Sequence, residues 1–196
     1  AICSGAPDKI QLLKWGLIPS WPRTIADANV IRFKTFNARA ESIESKPSFS
    51  SYFKTRRCII PVKGVFEWQH AGKEKIPWYI CHAGNETISF AGLYDEWIEN
   101  NTGEVFNTFT IITTSANDMM AEIHNSARRM PAILDNKTES LWLDLSVSST
   151  DAMNLLKPSP SEILIAHTIG PLVNDRNANR NTPEVISPYI YNHGNL

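Results

Sequence analysis

The chain has 196 residues, of which 42% are hydrophobic and 20% are charged, and its net charge is -1. This composition excludes disordered and fibrous classes of protein and fits one globular domain over residues 1–196. The near-neutral charge gives no overall attraction to nucleic acid. A chain of this length buries enough surface to need no disulfide or structural metal.

Cysteine usage and hydropathy indicate a cellular compartment. The three cysteines include no C-x-x-C pair, which is typical of a reducing, intracellular setting. No apolar stretch approaches the roughly 20 residues that span a bilayer, and the start of the chain carries no signal-peptide pattern. We therefore expect a soluble, cytoplasmic protein with no membrane partner.

The predicted elements begin with a strand over residues 10–18, followed by a loop that carries Trp21. A short amphipathic helix is predicted over residues 47–54. Consecutive β-rich runs joined by short turns come next, which indicates antiparallel pairing. These runs cover residues 57–62, 65–69, 78–82, 87–97 and 106–114.

The second half of the chain adds short helices and a strand over residues 162–168. Capping patterns at Ser115 and Ser148 predict two of the helices. The predicted helices cover residues 119–123, 136–145 and 152–156. A polar tail over residues 174–181 is expected to be an exposed loop before a final strand. The result is an α+β fold, a mixed and mainly antiparallel sheet or barrel with peripheral short helices.

Glu67 lies between Phe66 and Trp68, and strand alternation sends it to the face opposite both aromatic rings. If the rings face the core, Glu67 is a solvated carboxylate. If Glu67 instead lines a cleft, burial disfavours its ionisation and leaves a carboxyl group that can donate a proton. The second arrangement is what a general acid and base requires.

His124 carries a similar ambiguity, because a histidine beside Asn125 is either a helix-terminal cap or a titrating catalyst. Glu67 and His124 could also be metal ligands. No second His or Cys stands at ligand spacing from either residue, so we expect no metal and no other cofactor.

Trp21 and Trp68 either pack in the core or form a stacking platform for unpaired bases, where each ring contributes roughly 1–3 kcal/mol. In the second case basic side chains would contact the phosphates. The candidates are Arg39, Lys46, Arg56, Arg57 and Arg129.

Five ordered motifs, read together, resemble the SRAP family, the SOS response-associated peptidases. They are Trp15–Trp21, Asn37–Glu41, Arg57–Pro61, Gly64–Trp68 and Ile123–Pro131. Their order and spacing match as well, and the similarity covers nearly all of the chain from about Lys14 onward. Five motifs in order are far more specific than any one of them, and they imply an SRAP fold.

The resemblance implies a covalent chemistry. Family members process their own start to expose an amino-terminal cysteine, whose amine and thiol condense with the aldehyde of a ring-opened abasic sugar. The resulting thiazolidine links protein to DNA and shields the lesion. The resemblance thus implies a DNA-damage enzyme with autopeptidase, crosslinking and lyase-like activity.

The implied partner is single-stranded or junction DNA that contains abasic sites. We expect the protein to act as a monomer and to associate with the bacterial nucleoid when it is bound to DNA.

Carried onto this chain, the resemblance assigns Asn37 to positioning the amino terminus and Glu67 to sugar ring opening and proton transfer. His124 would promote the imine step and its reversal, and Arg39 would hold a phosphate beside the lesion. These are roles for hydrogen-bonding and titrating groups at close range.

Four more residues receive DNA-binding roles by the same resemblance. Trp21 and Trp68 are similar to the family's wedge and stacking residues. Lys46 aligns approximately with a phosphate-binding arginine, and Arg129, beside the Met-Pro pair, takes the role of the arginine after the histidine.

Ala1–Gly5 does not match the family's Met-Cys-Gly-Arg start, and the family's segment before the Trp-Gly motif is longer. Cys3 is therefore a poor candidate nucleophile. We expect that this chain lacks the amino-terminal segment of its domain and that it is inactive in crosslinking as it stands.

Two other functions stay open. A non-covalent single-stranded DNA-binding module without catalysis would show salt-sensitive binding and no adduct. A peptidase acting on other proteins would need a nucleophile with an adjacent base, and no G-x-S-x-G or Cys/His signature is present.

Overall fold

The computed structural model describes residues 1–191. The chain folds into two compact units, and each is described by itself. Residues 1–61, 89–115 and 131–158 form the first unit. Residues 62–88, 116–130 and 159–191 form the second unit.

The strands, in chain order, are β1 (Ile2–Cys3), β2 (Ala6–Ile10), β3 (Lys14–Trp15), β4 (Asn37–Arg39), β5 (Arg57–Val62), β6 (Gly64–Ala71), β7 (Glu74–His82), β8 (Ile88–Ile98), β9 (Val105–Ser115), β10 (Arg129–Pro131), β11 (Ile133–Leu134) and β12 (Leu164–Thr168). The α-helices are α1 (Ile25–Arg32), α2 (Ser50–Thr55), α3 (Asp118–Ile123), α4 (Asn136–Leu143) and α5 (Ser149–Asn154). Short 3-10 helices cover Ala40–Ser42, Ser161–Ile163, Pro171–Asn174 and Pro183–Ile186.

The first unit is built on a mixed sheet with the strand order β9-β8-β5-β1-β2. Its longest strands, β8 and β9, have 11 residues each and pair antiparallel. β3 and β4 add to β9 in parallel, and β11 adds to β8 antiparallel. Within residues 1–191 this order does not return from β2 to β9, so the sheet is open and is not a closed barrel.

The core of the first unit packs between the sheet and the helices α2, α4 and α5. The rings of Phe53 and Trp142 pack with their centroids 6.0 Å apart. The Trp142 indole N–H also donates to the buried carbonyl of Cys58 at 2.9 Å, which satisfies the polar end of a fully buried ring. Ala38 of β4 lies in the same core, and this fixes which face of β4 points outward.

The second unit contains an antiparallel sheet with the strand order β12-β7-β6. Its register places Glu67 opposite Trp78. Trp68 and Tyr79, on the other face, pack against a small hydrophobic cluster that includes Ile169. The two faces of β6 therefore have different surroundings, as strand alternation requires.

The predicted α+β fold is confirmed, with a mixed and mainly antiparallel sheet arrangement and short helices. The strand over residues 57–62 occurs as β5 at the predicted bounds, and the four β-rich runs that follow occur as β6 to β9 with bounds shifted by a few residues. Ser148 caps α5 through its bond from the Asp151 N–H, as the sequence predicted.

Other local predictions are wrong. The strand over residues 10–18 is instead two short strands, β2 and β3. Ser115 ends β9, and the cap of α3 is Asn117, whose side chain accepts from the Met120 N–H. α1, capped by Thr24, was not predicted.

The exposed loop predicted over residues 174–181 is present, since residues 175–181 form no helix or strand and are mostly exposed. The described residues after it form the Pro183–Ile186 3-10 helix and a bridge at Pro188 in place of the predicted final strand. Residues 192–196 lie outside the described residues. No helix among residues 1–191 combines the length and the apolar character needed to cross a bilayer.

Candidate active site

Glu67 is half-buried on the face of β6 that is opposite Trp68. Strand alternation sends it there as predicted, but the surroundings are not solvent. α3 packs against β6 within the same unit. The Glu67 side chain, which is 25% exposed, approaches His124 from this strand. The arrangement matches the cleft interpretation of Glu67 more closely than the solvated one.

Burial raises the pKa of Glu67 above its ordinary value. The charge of a protonated His124 and a hydrogen bond from the Trp68 backbone N–H act in the opposite direction, and burial outweighs both. Removing water from a carboxylate disfavours its charged form, because the protein does not fully replace the lost hydration. Glu67 therefore holds its proton at a higher pH than a solvated glutamate and can donate it.

His124 is the C-cap residue of α3, since its backbone N–H donates to the Met120 carbonyl. The helix-terminal position expected from the sequence is therefore present. The imidazole also extends toward Glu67, with 3.7 Å between His124 Nδ1 and Glu67 Oε1. His124 thus caps α3 and contacts Glu67 at the same time.

A second contact sets the protonation pattern of the His124 ring. Nδ1 lies 2.9 Å from the carbonyl oxygen of Arg129. A carbonyl oxygen only accepts, so Nδ1 carries the hydrogen and Nε2 of the neutral ring holds the lone pair. The imidazole is then oriented to take a proton at Nε2.

The end of α3 is attached to β6 on both sides of His124. The Gln69 amide donates to the Glu122 carbonyl at 3.1 Å. The Asn125 side chain accepts from the His70 N–H at 3.0 Å and donates to the His70 carbonyl at 2.9 Å. Sequence reasoning gave neither amide a role.

Of these two amides, only Gln69 could have been identified from the sequence pattern. It lies two residues after Glu67 and so on the same face of the strand. A side chain that bonds to a strand edge, as Asn125 does, leaves no such pattern.

Arg129 stands at the start of β10 and is partly buried. Its backbone carbonyl is the acceptor for His124. Arg128 before it has a positive φ of 51°, a backbone conformation that is uncommon outside glycine and asparagine. This turn brings the Arg129 carbonyl back to the imidazole, a function that the sequence did not suggest.

Trp68 lies on the opposite face from Glu67 and is partly buried. Its indole N–H donates to the Asn174 side chain at 3.1 Å, and its ring packs against the small cluster of the second unit. Both alternatives for this residue therefore keep some support, because part of the ring is packed and part is accessible.

In the first unit, Asn37 and Arg39 share one face of β4. They pair in parallel with Ile111 and Thr113 of β9 and are both exposed, whereas Ala38 between them is fully buried. Alternation explains this arrangement. The structure thus brings the amide and the guanidinium to one surface of the first unit.

Trp21 is 55% exposed in the loop before α1. It borders a shallow depression of about 340 Å³ that Arg23 and Asp27 also line. Lys46 is exposed and follows the Ala40–Ser42 helix in the chain. The structure does not group Lys46 with the Asn37 face through any contact of its side chain.

Two of the basic residues considered for phosphate contacts have structural partners. Arg57 is 1% exposed and donates to the Asp144 carbonyl at 2.7 Å, so the expectation of a phosphate contact is wrong for this residue. Arg56 forms an ion pair with the buried Asp95 at 3.4 Å. Both guanidinium groups, one in β5 and one just before it, are bonded to other residues of the first unit.

Cys3 is 2% exposed and lies opposite Cys58 in the register of β1 and β5, and both cysteines are free thiols. Burial raises the pKa of the Cys3 thiol and raises that of Cys58 well above its ordinary value. A thiol that stays protonated and covered is a poor nucleophile. This agrees with the sequence argument against Cys3.

The fold and the site define a mixed α+β protein that carries a half-buried carboxyl and imidazole pair beside a three-stranded sheet. The family model described as "SOS response associated peptidase (SRAP)" matches residues 2–176. The chain belongs to the SRAP family.

Individual relatives agree with this family. The chain is similar to the abasic site processing protein YoqW of Bacillus subtilis (strain 168), with 37% identity over 190 residues that cover 96% of this chain and 80% of that protein. It is similar to the abasic site processing protein HMCES of Xenopus tropicalis, with 34% identity over 201 residues that cover 92% of this chain and 58% of that protein.

A solved structure agrees as well. The crystal structure of a protein from Bacteroides thetaiotaomicron matches with a TM-score of 0.89 and 41% identity, over 93% of this chain and 78% of that one. The family and the fold predicted from the sequence are thereby confirmed.

Proposed function

We propose that this protein captures abasic sites in single-stranded DNA by covalent linkage through an amino-terminal cysteine. The observation that carries the proposal is the half-buried pair of Glu67 and His124, 3.7 Å apart, in which burial raises the pKa of the carboxyl group. Relatives named as abasic site processing proteins support the choice of substrate. We take the whole chain as one SRAP domain, because the family match runs through both units.

The reaction joins an amine and a thiol to one aldehyde carbon. The amine of the terminal cysteine adds to C1′ of the ring-opened sugar and, on loss of water, forms an imine. The thiol then adds to the imine carbon, and the nitrogen takes up the proton to close a thiazolidine ring. A terminal amine with a pKa of about 7.7–8.0 is partly unprotonated at neutral pH, as this attack requires. No external oxidant or cofactor enters this balance.

Glu67 and His124 divide the proton transfers of this scheme. The Glu67 carboxyl, which keeps its proton at a raised pH, donates to the sugar ring oxygen as the ring opens. His124, with Nδ1 held by the Arg129 carbonyl, takes a proton at Nε2 during the imine step and its reversal. Asn37, an exposed amide on β4, positions the amino terminus through hydrogen bonds.

DNA contacts come from basic and aromatic side chains. Arg39, Lys46 and Arg129 hold phosphates, and Trp21 stacks on an unpaired base from its exposed loop. Trp68 contributes only the uncovered part of its ring, because the rest packs inside the second unit. Stacking of this kind favours single strands and junctions, since paired bases are already stacked on each other.

The same terminal cysteine takes part in two further activities that we propose, which are self-processing and a lyase-like cleavage of DNA. Hydrolysis of the protein's own start exposes the cysteine, which is the peptidase step. In the lyase-like step the imine loses the 3′-phosphate by β-elimination: a proton leaves C2′, the C3′–O bond breaks, and hydrolysis of the imine then releases the amine of the protein. We propose that the protein acts as a monomer in the response to DNA damage. We propose that it is cytoplasmic and associates with the bacterial nucleoid when it is bound to DNA.

The test is a crosslinking experiment with the full-length protein and an oligonucleotide that holds one abasic site. We expect a band that survives denaturation, and a rate of its formation that falls by about 100-fold in Glu67→Gln, the contribution typical of a general acid or base. Asn37→Ala slows the same step. Mass spectrometry of the digested band should locate the DNA on the amino-terminal cysteine.

Matched controls separate these effects from general damage to the fold. Glu74→Gln removes an exposed carboxylate from β7 of the same sheet, and Asn107→Ala removes an exposed amide from β9, so both should react at the wild-type rate. Wild-type rates in Glu67→Gln and Asn37→Ala would eliminate the proposed roles. Salt-sensitive binding with no covalent band in the wild type would favour the non-covalent module instead.

A further inference from the structure

The outer edge of β6 is paired to a side chain. In the order β12-β7-β6, β6 has a strand neighbour on one side only among the described residues. On its other edge the Asn125 amide accepts from the His70 N–H at 3.0 Å and donates to the His70 carbonyl at 2.9 Å. Asn125 thereby makes the two bonds that a residue of a further strand would make.

Gln69 makes a second connection from the same strand. Its amide nitrogen donates to the Glu122 carbonyl at 3.1 Å, and its amide oxygen accepts from the Trp78 indole N–H at 3.2 Å. The Trp78 bond fixes which end of the amide faces Glu122. Both hydrogen-bonding ends of Gln69 are therefore in use.

These connections bracket His124 along the chain. Glu122 precedes it by two residues and Asn125 follows it by one, and both are bonded to the strand that carries Glu67. The Arg129 carbonyl then sets the rotation of the ring through Nδ1. On the same strand edge, the Trp68 N–H bonds to the Glu67 carboxylate. Hydrogen bonds on both sides of His124 thus hold it against β6, the strand that carries Glu67.

We propose that Asn125, assisted by Gln69, is a positioning residue that holds His124 in register with Glu67 for proton transfer. The inference rests on the proposed function, which it extends by two residues. Asn125 suits this role because a short side chain must supply one donor and one acceptor in the same plane. Aspartate has no donor, alanine has neither group, and glutamine is longer by a methylene group.

The test is the single-turnover rate of adduct formation with the full-length Asn125→Ala variant, measured at saturating protein. We expect the rate constant of the reactive fraction to fall about tenfold, because a misplaced base loses efficiency in proton transfer. The protein concentration that half-saturates binding of an undamaged oligonucleotide should stay at the wild-type value. A merely structural role would lower the melting temperature and the reactive fraction and leave the rate constant unchanged.

A matched control and a second variant support the measurement. Thr168→Val removes a hydrogen bond of 2.6 Å to the Tyr189 carbonyl from the same sheet, far along the chain from His124, and it should keep the wild-type rate constant. Gln69→Leu removes the other connection, and its rate constant should fall as well. This variant decides the question if Asn125→Ala does not fold.

Two outcomes would overturn the inference, and they are distinguishable. Wild-type rate constants in both Asn125→Ala and Gln69→Leu would remove the positioning role and leave the proposed function intact. An absence of any adduct with the wild-type protein would remove the proposed function, and the positioning role with it.

Discussion

At the scale of single residues, Glu67 is suited to the proposed proton transfer but lowers the stability of the fold at neutral pH. Its pKa is raised in the folded state, so the folded protein binds its proton more tightly than the unfolded chain does. Stability therefore falls as the pH rises from the ordinary pKa of glutamate to the raised pKa of Glu67. Such a cost is common at functional sites, where a group is held in surroundings that do not suit its charged form.

We predict that Glu67→Gln is more stable than the wild type at pH 8. The amide keeps the shape of the carboxyl group and carries no charge to desolvate, so we expect a melting temperature higher by about 2 °C, the shift that ~0.5–1 kcal/mol produces in a chain of this size. Differential scanning calorimetry from pH 4 to pH 8 gives the measurement. The difference should shrink toward pH 4, and a variant less stable than wild type at pH 8 would refute the argument.

At the scale of elements, the loop that carries Trp21 is held firmly although the Trp21 ring is exposed. The Ile18 N–H donates to the Thr108 hydroxyl at 3.0 Å, and the Ser20 N–H donates to the Tyr52 hydroxyl at 2.8 Å. Within the loop, directly after Trp21, the Pro22 carbonyl accepts from the Trp97 indole N–H at 3.0 Å. A stacking ring on a fixed loop loses less conformational freedom on binding than one on a mobile loop.

We predict that Tyr52→Phe, which keeps the ring and removes the hydroxyl, loosens the loop at Ser20. Loss of the bond to the Ser20 N–H, worth about 1 kcal/mol, should speed hydrogen exchange at the Ser20 amide by about fivefold. Exchange measured by NMR should show no change in β9, whereas β8 carries Asp95, whose carboxylate also bonds to the Tyr52 hydroxyl. Equal exchange at Ser20 in variant and wild type would show that the hydroxyl does not hold the loop.

Elements were predictable where one local signal dominated. Alternation and β-branched residues identified β5 to β9, and the Ser148 cap identified α5, because those signals depend only on near neighbours. The cap of α3 was assigned to the wrong residue because Ser115 and Asn117 are both good caps. Ser115 was already committed to β9, and strand pairing is a distant contact.

At the scale of the whole molecule, the motifs gave the family and the candidate residues, whereas the contacts came only from the structure. The sequence contained Glu67 and His124 but left open whether the carboxylate was solvated. Their approach depends on the packing of α3 against β6, which residues 69, 122 and 125 secure. The burial of Arg57 was missed for a similar reason, since its partner carbonyl is 87 residues away.

The proposed function requires Glu67 and His124 to act directly on the abasic sugar. A crystal structure of the full-length protein linked to an abasic single strand would show whether they do. We predict the linked sugar within hydrogen-bonding distance of both side chains, about 2.6–3.2 Å or through one water. A covalent adduct whose sugar lies beyond the reach of both side chains would contradict the account.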